Sequence, residues 1–221
     1  HEALQRGPRL DREFLLDHPA VAHRRKIVGG GPQPADALEA EIGLVGLEGF
    51  EFDRIVAVDP HIHRINALGD VFPTAECTLL HGGDALVPYL QASGDAPKWL
   101  VVGPDSESAP WVRRIADQLG LDHAVMEKRR RGDLSVEIVV PEGLSPSGRP
   151  VLLVDDICSS GTTLRESVLK LKSAGAEAIT VFVTHALSGD AVIDSLLSAG
   201  AERVISSDSC PHRTSHVHLA A

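Results

Sequence analysis

The chain has 221 residues, 43% of them hydrophobic, and a formal net charge of −10. That is enough apolar material for one large α/β domain or two small ones, and the acidic balance argues against a nucleic-acid partner, which needs a basic surface. No apolar run has the length of a membrane span, the first dozen residues are too polar for a secretory signal, and Cys77, Cys158 and Cys210 are too few and too scattered for a disulfide framework; a soluble cytoplasmic protein without a membrane partner is expected.

Residues 1–50 are rich in Arg, Pro and Gly, with three glycines at 29–31 followed by Pro32 and Pro34. A helix is predicted at Ala35–Glu41 and a short one at Arg12–Leu16, with loop elsewhere. This stretch is set apart as an irregular N-terminal segment, 1–50, before a domain at 51–221. From residue 52 the pattern turns regular. Strands are predicted at Arg54–Val58, Cys77–Leu80, Trp99–Val102, His123–Met126, Leu134–Val139, Val151–Val154, Ile179–Val183 and Arg203–Ile205. Helices are predicted at Ala85–Gln91, Ala109–Leu119, Leu164–Ala174 and Ala191–Ala199. Apolar strands alternating with helices imply an α/β fold with a parallel sheet covered by helices on both faces. Gly120, Gly175 and Gly200 follow predicted helices, where a left-handed residue closes the last turn.

The segment richest in chemistry runs from Val151 to Thr163, VLLVDDICSSGTT. A four-residue aliphatic strand leads into two carboxylates, a turn of small residues and a helix. Thr163 and Glu166 have capping-box spacing. Backbone N–H groups and hydroxyls of Ser159, Ser160, Gly161, Thr162 and Thr163 would then face a helix N-terminus, which suits a phosphomonoester dianion. Asp155 and Asp156 can accept hydrogen bonds from vicinal sugar hydroxyls. Together these parts point to a phosphorylated pentose. Neither a Walker loop nor a dinucleotide fingerprint is present.

This segment resembles the phosphoribosyl diphosphate (PRPP) loop of the type I phosphoribosyltransferase fold. Within that fold, residues 52–215 are most similar to the ribose-phosphate pyrophosphokinases, the PRPP synthases. The order of several further segments supports the likeness. Val58-Asp59-Pro60-His61-Ile62-His63 resembles the family's Asp-Leu-His segment. By that resemblance His61 is a ligand on the metal side of the nucleotide, Asp59 and Asp105 join it around Mg²⁺, and His63 stands beside the nucleotide. Gly103-Pro104-Asp105-Ser106-Glu107-Ser108 stands where the family has Pro-Asp-x-Gly-Gly; Asp105 matches, but Glu107 and Ser108 replace the glycines that wrap the diphosphate. Lys128 and Arg130, in the charged run Glu127–Asp133, match the Lys-x-Arg unit that opens the family's short, flexible β-hairpin. His185 matches a position near the nucleotide or sugar, and Ser209-Cys210-Pro211-His212 matches a turn.

The resemblance implies transfer of the diphosphoryl group of ATP to ribose 5-phosphate, giving PRPP and AMP. Lys128 and Arg130 would stabilise the transition state, with Mg²⁺ as cofactor and a homo-oligomer as the assembly. Two alternatives stay open: a phosphoribosyltransferase that consumes PRPP, and a non-catalytic regulatory relative. The family's Phe-x-x-Gly-Glu and Arg-Gln-Asp-Arg segments are absent, so residues 1–50 are expected to be a remnant or replacement of the N-terminal half-domain in a fragment or shortened homologue.

Overall fold

The structure is a computed structural model that describes residues 52–60, 67–94, 99–131, 135–139 and 145–219. The expected helices at Arg12–Leu16 and Ala35–Glu41, the boundary near residue 50, and His61 and His63 lie outside the described residues.

Two parallel strands open the described chain, β1 (Arg54–Val58) and β2 (Glu76–Leu80), separated by the short helix α1 (Leu68–Val71). Then follow α2 (Gly82–Ser93), β3 (Leu100–Gly103), a 3₁₀ turn (Ser106–Ser108), α3 (Ala109–Leu119) and β4 (His123–Val125). An antiparallel pair, β5 (Glu127–Arg131) and β6 (Ser135–Val139), precedes β7 (Val151–Cys158). The chain continues through α4 (Thr162–Ser173), β8 (Ile179–Ala186), α5 (Asp190–Ser198), β9 (Arg203–Ser207) and β10 (Ser215–Val217). Six strands form one parallel sheet in the order β10-β9-β8-β7-β3-β4.

The alternation of side chains on these strands divides the core in two. Leu100, Val102, Val151, Leu153, Ile179, Val181 and Val183 pack against Leu164, Val168 and Leu171 of α4 and Ile193 and Leu196 of α5. Val101, Leu152, Val154 and Phe182 face the other way, onto Leu86 and Leu90 of α2 and Val112 and Ile115 of α3. Burial on both faces is what the apolar runs of β3, β7 and β8 require. Each fully buried Leu, Ile or Phe contributes roughly 1.5–3 kcal/mol by transfer from water.

The elements differ from the expected ones at informative places. β7 does not stop at Val154. It continues to Cys158 because β8 also runs on, pairing Asp155 with Val183, Ile157 with His185 and Cys158 with Ala186. Ladder hydrogen bonds thus carry two aspartates that β propensity alone would exclude. α4 begins at Thr162 with Gly161 as its N-cap, so the Thr163–Glu166 capping box is not formed. The charged run after Met126, which periodicity alone did not mark as a strand, is strand β5 and pairs antiparallel with β6. β10, absent from the expected elements, pairs with β9 in an irregular register.

Leu152 is fully buried at the centre of the sheet, whereas Leu187 is 60% exposed. Leu152→Ala should therefore lower the unfolding free energy by about 2–5 kcal/mol, and Leu187→Ala by less than about 0.5 kcal/mol. Urea denaturation of the two variants measures the difference.

Candidate active site

Parallel strands deliver their following loops to the carboxyl end of a sheet, and the sequence-predicted residues that the structure describes gather there. β7 places Asp155 and Asp156 side by side at its end, beside β3 and β8. Asp156 is buried and Asp155 partly so, with Asp155 Oδ1 accepting from the Asp156 backbone N–H at 3.1 Å. Burial, then repulsion from Asp156 and from Asp105, pushes the Asp155 carboxyl up to about 8. The turn after β3 therefore lies close enough for Asp105 to act on β7 through its charge.

Ser159–Thr163 form the turn from β7 into α4. Gly161 has φ 69°, a left-handed conformation that favours glycine. A Cβ there would also stand 2.4 Å from Val192 Cγ1 on α5. Gly161 is thus fixed twice, by backbone shape and by the close approach of a neighbouring helix. Its carbonyl accepts from Arg165 N at 2.8 Å, which starts the helical ladder. No side chain caps α4. The hydroxyls of Ser160 and Thr162 are 3.3 Å apart and lie on the exposed side of the turn. A helix N-terminus without a side-chain cap, edged by hydroxyls and preceded by two carboxylates, can take a phosphate at one end of a ligand and polyol hydroxyls at the other.

Asp105 is the N-cap of the 3₁₀ turn, its Oδ1 accepting from Glu107 N at 3.1 Å. Ser108, fully buried, donates from Oγ to the Asp105 carbonyl at 2.5 Å. A Cβ on Gly103 would lie 1.9 Å from that hydroxyl, so Gly103 and Ser108 interlock. The serine in place of a family glycine thus stiffens the turn from within. A cleft of about 500 Å³ opens beside it, lined by Asp105, Ser106, Ala109, Val125, Met126 and Glu127. The cleft runs to the foot of β5, where Lys128 and Arg130 are paired with Ile138 and Val136 of β6.

Asp59 has a different setting. It is 2% exposed, and its carboxylate accepts from Gly82 N and Thr184 Oγ1 at Oδ2 and from His81 Nδ1 at Oδ1, each at 2.8 Å. Both oxygens face protein donors, which is a poor setting for the cation ligation expected of it. His185 likewise turns inward: Nε2 donates to the Val58 carbonyl at 2.9 Å, and Nδ1 lies 2.9 Å from Ser209 Oγ. Sequence reasoning missed His81 and Thr184, which tie the end of β1 to α2 and β8, and the bonds by which Ser209, read only as part of a turn, holds Thr184 and His185. Their signal was a polar cluster at strand ends that only the topology brings together. Among the described residues no group of three or more His, Cys, Asp or Glu side chains is placed to hold a metal ion. Nor is any described helix long and apolar enough to cross a membrane.

Residues 90–196 match the model of the phosphoribosyl transferase domain family. The chain is 30% identical over 216 residues to a ribose-phosphate pyrophosphokinase of Corynebacterium efficiens, covering 96% of this chain and 64% of that one. It is 32% identical over 168 residues to a ribose-phosphate pyrophosphokinase of Methanopyrus kandleri, covering 76% and 56%. The crystal structure of phosphoribosylpyrophosphate synthetase from Mycobacterium smegmatis superposes with a TM-score of 0.68 at 24% identity, covering 85% of this chain and 61% of that one, and shares the fold. The chain thus spans under two thirds of the length of each of these relatives.

Two outcomes follow from the geometry. Gly161→Ala should destabilise by at least about 1 kcal/mol through its positive φ, with a further loss from the Val192 contact. Adding Val192→Ala removes the methyl in the way, so a double-mutant cycle should show favourable coupling between the two changes, read by chemical denaturation. The second outcome concerns pH. The Asp155 carboxyl is raised in the folded state, so between about pH 4 and pH 8 the folded protein holds more protons than the unfolded chain. Its contribution to stability is full below that window and is lost as pH rises through it. Asp155→Asn should flatten the fall in thermal midpoint across the window, measured by calorimetry.

Proposed function

We infer, from a chain that carries a phosphoribosyl transferase domain and is a relative of the ribose-phosphate pyrophosphokinases, that the protein transfers the diphosphoryl group of ATP to the 1-hydroxyl of ribose 5-phosphate, yielding PRPP and AMP. One observation carries this reading. The paired carboxylates of β7 run directly into the start of α4, where Gly161 is the N-cap and the Ser160 and Thr162 hydroxyls edge the turn, so polyol and phosphate recognition lie on one continuous stretch of backbone.

In this reading Ser159, Ser160, Gly161, Thr162 and Thr163 hold the 5-phosphate through N–H and O–H donors at the positive end of α4. Asp155 and Asp156 accept from the 2- and 3-hydroxyls. A proton on Asp155 is readily displaced when sugar hydroxyls or a cation offset the burial and the repulsion that raise it. Asp105, held by Glu107 N and Ser108 Oγ, faces the phosphates across the cleft. Lys128 and Arg130 on β5 neutralise the charge that develops as the diphosphoryl group moves; such stabilisation is the main source of rate in phosphoryl transfer. In-line placement of the 1-hydroxyl does the rest, with no dedicated base.

Mg²⁺ fits the donors present. This hard cation takes oxygen ligands and is usually held by one or two carboxylates together with substrate phosphates and water, not by an all-protein cage. Asp105 and the β7 carboxylates are donors of that kind, and a cation near them offsets the repulsion that Asp155 feels. When bound, it supplies charge neutralisation on the phosphates. His61 and His63 keep the nucleotide-side roles that the sequence likeness gives them. A homo-oligomer in the cytoplasm belongs to the same reading.

Incubation with Mg-ATP and ribose 5-phosphate, with AMP as readout, tests the function. AMP that appears only with ribose 5-phosphate supports it; binding of PRPP with no AMP points to a regulatory relative, and consumption of PRPP with a free base to a transferase. Lys128→Ala should lower kcat by about 10²-fold or more while the KM for ribose 5-phosphate stays nearly constant.

A further inference from the structure

We propose that Asp59 is a positioning residue, not a cation ligand: it fixes the direction in which the chain leaves β1 and locks that turn onto the sheet that carries the phosphate loop. The role in nucleotide binding rests on the function proposed above; the clamp itself rests on geometry alone.

Asp59 is the one non-glycine residue with positive φ among the described residues, at 36°. It precedes Pro60, and proline restricts the backbone of the residue before it. A side chain held in so unfavourable a conformation needs surroundings that over-determine it, and such residues gather at functional turns. Here the surroundings are complete. The Asp59 N–H continues the β1–β2 ladder to the Leu80 carbonyl at 3.0 Å. The carboxylate spans to Gly82 N at the start of α2, to Thr184 Oγ1 on β8 and to the His81 ring. One residue back, the Val58 carbonyl accepts from His185 Nε2. Thr184 and His185, adjacent on β8, thus grip Asp59 and Val58, adjacent at the end of β1.

Three features argue against a cation on this carboxylate. The side chain is fully buried. Because a carboxylate only accepts, His81 must carry its proton on Nδ1, so every partner of Asp59 among the described residues presents the positive end of an N–H or O–H. A cation among those hydrogens would be repelled. The site is also closed sterically, since a Cβ at Gly82 would sit 2.5 Å from Thr184 Oγ1. Gly82 is therefore needed for Thr184 to come close enough to reach Asp59. The next residues of the chain are Pro60 and His61, and His61 is the residue given to the nucleotide side. A turn fixed at Asp59 sets the direction in which the chain leaves β1 toward that residue.

The test compares wild type with Asp59→Asn, Asp59→Gly and Thr184→Val by calorimetric binding of Mg-ATP and of ribose 5-phosphate, by magnesium titration, and by the proton resonance of His81 Nδ1–H. Asp59→Gly accepts the backbone conformation but loses the clamp; Thr184→Val removes one donor and no conceivable metal ligand. Expected are a weakening of Mg-ATP binding by about tenfold in both, ribose 5-phosphate affinity within about twofold of wild type, and an unchanged magnesium half-saturation in Asp59→Asn. Magnesium half-saturation raised about tenfold by Asp59→Asn, with Thr184→Val neutral, would make Asp59 a ligand and overturn the proposal. Equal weakening of both ligands would make the clamp a purely structural one and overturn the positioning role. The His81 Nδ1–H resonance should be present in wild type and lost in Asp59→Gly, whether or not AMP is formed; its absence from wild type removes the clamp, whereas a wild type that has the resonance but binds no nucleotide removes the proposed function instead.

Discussion

Two carboxylates at the end of a buried strand repel each other, and a third across a turn adds to the strain. Asp155, Asp156 and Asp105 are in that position, and burial first, then this repulsion, raises the Asp155 carboxyl to about 8. A protein that keeps such a group sacrifices stability for a site that wants hydroxyls or a cation. The rest of the architecture holds this arrangement in place. β7 is covered on both faces, with Leu152 and Val154 packed against α2 and α3 and Val151 and Leu153 against α4 and α5. Its ladder to β8 extends past the aspartates to Cys158. The carboxylates therefore project from a rigid strand, not from a loop.

The same economy shows on either side. Gly161 turns the chain into α4 in a shape that only glycine takes easily, against a helix that leaves no room for a Cβ. Gly103 makes space for Ser108, which ties down the carbonyl of Asp105. Asp59 binds β1 to α2 and β8 through three donors. The loops after β1, β3 and β7 are thus each fixed by a close approach or by a hydrogen bond. Catalysis by positioning and charge requires that kind of fixing, because misplacement of a phosphate by an ångström forfeits much of the rate.

Much of this was legible in the sequence. The apolar runs of β3, β7 and β8 announced a doubly covered parallel sheet, and the turn from Asp155 to Thr163, to which the proposal gives the phosphate, stood out because its polar residues are contiguous. Boundaries were harder. The period of four aliphatic residues ended at Val154, and nothing local says that Asp155–Cys158 continue as strand; the partner β8 decides it. The Thr163–Glu166 spacing suggested a cap that the left-handed Gly161 makes unnecessary. Asp59 came to the metal side by family likeness; its bond to Thr184, which is 125 residues away in the chain and 2.8 Å away in space, has no signal in the sequence. His81 escaped notice for the same reason, and Ser209 was legible only as part of a turn: their roles exist only once residues at the ends of β1, β2, β8 and β9 come together.

The central claim is that the start of α4 receives the phosphate of a phosphopentose whose hydroxyls meet the β7 carboxylates. Amide ¹H–¹⁵N shifts recorded during titration with ribose 5-phosphate, and separately with ribose, examine it most directly. The account predicts that the Gly161, Thr162 and Thr163 amides move with ribose 5-phosphate and stay still with ribose, while Asp155 and Asp156 respond to the phosphorylated sugar alongside them. Shifts confined to other parts of the sheet, or the same response to ribose as to ribose 5-phosphate, would contradict it.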